Sequence, residues 1–156
     1  MTTQMHVETS SQPHLKAGAL AGLIAGAAFM MLEMGLVALS GGSPWGPPRM
    51  IAAIVMGEGV LPPPASFDLM ILMVAMAVHL MLSIIIGIGF AFVAKRFGWV
   101  MAVVVGALVG LALYAVNFYG MTAFFPWFAM ARNTISIVSH IAFGMVLGLS
   151  YHRLAK

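Results

Sequence analysis

The sequence predicts an all-α membrane protein: four transmembrane helices in an up-down-up-down bundle, with a short interfacial or re-entrant helix in the first outer loop. Three observations carry this. The 156 residues are 62% hydrophobic and 7% charged, whereas about a quarter of a soluble domain's residues are charged. Four apolar runs are each long enough to cross about 30 Å of hydrocarbon at about 1.5 Å per residue. Lysine and arginine sit at or beyond the ends of those runs. The 15 methionines and 17 glycines suit closely packed helices with soft filler. With no cysteine there is neither disulfide nor thiolate ligand. The net charge of +3 is scattered and makes no nucleic-acid patch.

In chain order, residues 1–15 (MTTQMHVETSSQPHL) show no period that buries a face and are expected to form a flexible cytoplasmic tail, leaving 16–156 as a single four-helix domain. The first span is expected over 17–40. No basic segment precedes it, so it reads as a retained helix and not a signal peptide. Residues 41–66 hold six of the eight prolines, a density that forbids a spanning helix. Between the proline clusters, Arg49 to Val60 is expected to form a short helix at the interface, with Trp45 as an anchor. The second span is expected over 68–94, the third over 99–119 and the fourth over 131–151, with an aromatic turn (GMTAFFPWFAM) before the last. Lys16, Lys95, Arg96, Arg153 and Lys156 then lie on one side and only Arg49 and Arg132 on the other. By the positive-inside rule both termini are cytoplasmic.

Each helix then divides into two layers. Gly18, Gly22 and Gly26, Gly87, Gly106 and Gly110, and Gly144 and Gly148 fall in the cytoplasmic half, where GxxxG spacing lets backbones approach and seals the bundle. The outer half carries the polar groups. At about 1.5 Å per residue, Glu33 and His140 lie roughly 10 to 14 Å deep and His79 roughly 16 to 18 Å. These three are expected to meet in one periplasm-facing pocket lined by Ser83, Tyr114, Asn117, Asn133 and Ser136. Such inward polar groups are often mere interhelical glue, but ionisable side chains within a span are costly and usually functional. Arg49, Asp68 and Arg132 are expected at the outer interface in anchoring roles.

Two functional classes follow from the trio. In the first, His79 and His140 bind haem b, or Glu33, His79 and His140 bind a divalent metal, in a redox or accessory role. Histidines on the second and fourth helices are similar to the haem ligands of b-type membrane cytochromes, although one histidine per helix leaves room for a single haem. In the second, the trio is the relay of a proton-coupled transporter or channel acting as an oligomer. A purely structural accessory subunit, docked in a homo-oligomer or a larger membrane complex, is the remaining alternative. No nucleotide-binding, hydrolase or metalloprotease motif decides whether the chain is an enzyme. The bilayer is the one partner that the composition itself implies, with no nucleic acid.

The stretch LEMGLVALSGGSPWGPPRMIAAIVMGEGVLPPP resembles small, uncharacterised four-helix proteins of bacterial inner membranes. The resemblance covers mainly the first helix and the loop after it. It implies a bacterial inner-membrane location and no activity.

Overall fold

The computed structural model describes residues 12–61 and 63–156. The tail expected over 1–15, with His6, lies outside the described residues as far as residue 11. Five α-helices follow: α1 (Leu15–Leu39), α2 (Gly46–Met56), α3 (Leu69–Ala94), α4 (Trp99–Ala115) and α5 (Thr134–Leu154). Short 3-10 turns occur at Glu58–Val60, Met121–Ala123 and Pro126–Ala131. Among the described residues there is no strand. Among the described residues, four helical stretches are long and apolar enough to cross a membrane: Leu15–Leu39, Leu69–Ala94, Trp99–Ala123 and Thr134–Leu154. The expected fold class, four apolar helices with a short helix between the first two, is therefore the observed one.

The helix ends are set by side-chain chemistry. Asp68 sits in extended backbone and accepts from the Ile71 amide at 3.0 Å, so it caps α3. Asn133 does the same for α5, accepting from Ser136 N at 3.0 Å. The fourth helix thus begins after Asn133, and not at residue 131 as its polarity pattern implied. The third does not stop at 119: α4 runs on through a π turn, Val116–Gly120, and the 3-10 turn behind it. In α2, prolines occupy the first turn, where no amide partner is lost, and Gly57 closes the helix at φ 80°.

Two tight helix pairs build the bundle. A methyl placed on Gly22 would run into the Ser83 carbonyl, and one on Gly87 into the Gly18 carbonyl, so α1 and α3 touch backbone to backbone. Likewise Gly106 faces the Gly144 carbonyl, Gly110 that of His140 and Gly148 that of Ala102, joining α4 to α5. Only glycine allows this approach. The pairs meet where α1 packs on α5, around Ala21, Ala25, Phe29, Phe143 and Leu147. The bundle order is therefore α3–α1–α5–α4. Although α3 and α4 are neighbours in sequence, they barely touch, and the ring stays open along that seam.

Both ends of the bundle are tied to α3 by other means. Where the termini lie, Tyr151 of α5 donates to Ala91 O of α3 at 3.2 Å and packs edge-on against Phe90 at 5.9 Å. At the opposite end α2 forms a roof. Its Ala52 packs with Ile71 and Ala75 of α3, and its Met50 carbonyl accepts from Trp127 Nε1 at 2.9 Å, in the aromatic turn that follows α4. Arg49 holds the loop between α2 and α3 against α2 by donating to Val60 O at 2.7 Å and Ser66 O at 3.1 Å. Ser43 Oγ, donating to Ala65 O, adds a second tie.

Candidate functional site

Between these two ends the open seam contains a cavity of about 210 Å³. His79, Leu82, Ser83 and Ile86 of α3 form one wall, and Leu113, Asn117 and Phe118 on the α4 side form the other. Phe29 of α1 and His140 and Phe143 of α5 make the floor, with Ile51 and Ile54 of α2 and the aromatic turn above. Leu82 is 44% exposed at the edge, so the cavity opens sideways between α3 and α4.

The floor is aromatic, and Phe29 in it touches both histidines. Phe29 stacks on His79 with centroids 5.2 Å apart and meets His140 edge-on at 4.8 Å. Tyr114 and Phe118 box His140 from the α4 side at 5.8 and 5.3 Å. A carbonyl can only accept, so the ring nitrogen facing one carries the hydrogen. His79 Nε2 therefore donates to Gly26 O at 2.9 Å, and His140 Nδ1 donates to Ser136 O at 2.7 Å. His140 Nε2 is left as an acceptor, and Asn117 Nδ2 donates to it at 3.3 Å. Both rings are held by backbone, each with one nitrogen free of any carbonyl.

The expected trio divides. His79 and His140 line the same cavity, but Glu33 does not. Its Oε1 accepts from Ser136 Oγ at 2.8 Å, within the α1–α5 contact, while Oε2 is buried without a partner. The reason is geometric. α1 is shared by α3 and α5, so its buried arc is wide, and the drift of about 20° per seven residues carries Glu33 from the glycine line toward α5. Phe29 occupies the place expected for the carboxylate. Among the described residues no group of three or more histidine, aspartate or glutamate side chains is placed to hold a metal ion. No hydrogen bond there joins His79 to His140 or to Glu33, and the link from His140 toward Glu33 passes through the Ser136 backbone.

Of the expected lining, Ser83 and Asn117 belong to the cavity. Tyr114 supports His140 from behind, Asn133 is the α5 cap and Ser136 serves Glu33. The anchoring residues are structural ties: Arg49 and Asp68 as above, and Arg132 through Nε to Phe118 O at 2.6 Å with its guanidinium 4.5 Å from the Tyr119 ring centroid. The aromatic residues were missed, although the signal was present. Phe143 follows His140 by three positions and Phe29 follows Gly26 by three, each on the inward face of its helix. No protein-family model, curated protein or solved structure matches this chain.

Proposed function

We propose that this chain is a multi-pass protein of the bacterial inner membrane, termini cytoplasmic, that binds a lipid-soluble small molecule in the cleft between α3 and α4. The observation that carries this is the cavity along the α3–α4 seam, aromatic and apolar except for His79, Ser83, Asn117 and His140, set between two helices whose outer faces are apolar. Drug-sized ligands occupy roughly 300 to 1,000 Å³. A volume of about 210 Å³ instead accommodates one ring-sized head, the remainder lying along the seam. The reading is one of binding. The cavity wall holds no carboxylate, and its one hydroxyl nucleophile, Ser83 Oγ, donates to His79 O within its own helix at 2.8 Å.

Photolabelling tests this. An alkyl diazirine probe in phosphatidylcholine nanodiscs should modify Leu82, Ile86 and Leu113 in preference to other apolar positions, and Leu113→Trp should suppress it. Adducts spread evenly over all exposed apolar faces would overturn the reading.

The second reading keeps haem b or a divalent metal on His79 and His140. One observation favours it: one N–H of each ring donates to a backbone carbonyl, as the outer N–H of metal-bound histidines does. It requires Phe29 to leave its place against both imidazoles and, for a haem, the cavity to widen. An absorption spectrum and elemental analysis of purified protein separate the readings.

A further inference from the structure

Resting on the cleft as a ligand site, we infer that its ligand is a lipophilic phenol whose ring enters the seam and whose hydroxyl meets His79 and Asn117. Buried polar side-chain atoms without a partner are confined, among the described residues, to Glu33 Oε2 and Ser139 Oγ. His79 Nδ1 and Asn117 Oδ1 also make no hydrogen bond there. They are therefore open to free space, and both residues line the cavity.

The free groups have a definite polarity. With Nε2 donating to Gly26, His79 Nδ1 is an acceptor in the neutral ring. With Nδ2 turned toward His140, Asn117 presents Oδ1 as a second acceptor and keeps one amide hydrogen. A hydroxyl can donate to one of these acceptors, His79 Nδ1, and accept the remaining Asn117 amide hydrogen. A ketone, ether or ester head can only accept and leaves both acceptors unpaired in a largely apolar cavity, which is unfavourable. The five phenylalanines of the lining, Phe29, Phe118, Phe125, Phe128 and Phe143, favour an aromatic ring as the body of that head through edge-to-face contacts.

The experiment uses the full chain in nanodiscs and competition against the diazirine probe. Three competitors share one alkyl tail: a 4-alkylphenol, the 4-alkylfluorobenzene of nearly the same shape, and the 4-alkylphenyl methyl ether. The phenol is expected to compete about tenfold better than the other two, the scale of one satisfied hydrogen bond. Asn117→Leu and His79→Phe should each bring the phenol's advantage over the fluorobenzene toward onefold. If His79→Phe does not fold, Asn117→Leu and the unmodified chain still decide. Equal competition by all three overturns the hydroxyl inference and leaves the cleft as a ligand site. A methyl ether that competes best overturns it too. Failure of every competitor, with labelling spread over the surface, overturns the cleft itself.

Discussion

Phe29 stacks on His79, their ring centroids 5.2 Å apart and their planes 30° from parallel, and the same phenylalanine meets His140 edge-on at 4.8 Å. One apolar side chain of α1 therefore sets the distance between the two membrane-embedded histidines. Phe29→Ala removes that spacer and opens space at the cavity floor. We expect a stability loss of about 3 kcal/mol, the scale of a large-to-small core change. We also expect stronger retention of added haem or Zn²⁺ than in the wild type. Unchanged stability in a detergent unfolding series would show that the ring is not packed as described.

The Glu33 carboxyl is satisfied on one side only, by the Ser136 hydroxyl at 2.8 Å. Ser136→Ala leaves the buried carboxyl without its donor, which costs about 1 to 3 kcal/mol. Adding Glu33→Met removes the stranded polar group and should recover most of that loss. The readout is the unfolding midpoint of the single and double variants. A double variant less stable than Ser136→Ala would mean that Glu33 has a partner beyond Ser136.

Glycine positions make sharply different predictions. Gly22→Ala and Gly144→Ala put a methyl into the carbonyls of Ser83 and Gly106, which cannot yield without parting the helices. Gly89, on the outer face of α3, has nothing within 4 Å of the same methyl. Gly89→Ala should be neutral or stabilise by about 0.5 to 1 kcal/mol through helix propensity, whereas the other two should collapse the yield of folded protein. Equal yields from all three would refute the backbone contacts between α1 and α3 and between α4 and α5.

These contrasts mark what could be read from residues alone. Span count, the interfacial helix and the glycine-lined half follow from hydropathy and spacing, which are local properties of the chain. The open seam between α3 and α4 is not local. It results from α1 being glycine-matched to α3 while α4 is matched to α5, a choice of partners that spacing within one helix does not encode. The same choice decides the trio. Levels along the helices were legible, so His79 and His140 were expected to meet and do share a cavity. Azimuth was not, so Glu33 was expected beside them although it faces Ser136.

The proposed orientation rests on cation placement and can be measured independently. Reporter fusions after residues 97 and 156 should signal on the cytoplasmic side, and fusions after residues 50 and 124 on the periplasmic side. A periplasmic signal at 97 would reverse the orientation and place the α2 roof toward the cytoplasm.

Among the described residues, one hydrogen bond joins the α2 roof to the aromatic turn, the Trp127 indole donating to Met50 O at 2.9 Å. Trp127→Phe deletes that donor and retains most of the apolar packing, since Trp127 already lies against Phe125 and Phe128 at 5.3 and 5.9 Å between centroids. A neutral hydrogen bond contributes about 0.5 to 1.5 kcal/mol, too little to unfold the bundle. It is enough to raise the population of a roof detached from the turn by roughly two- to tenfold, because α2 is otherwise held by its packing on α3 and by Arg49. Amide hydrogen exchange should therefore accelerate by that factor across residues 46–56 and stay unchanged in α5. Exchange of the α2 amides at the wild-type rate would mean that α2 is held in place without the turn, and that entry to the cavity is confined to the α3–α4 seam.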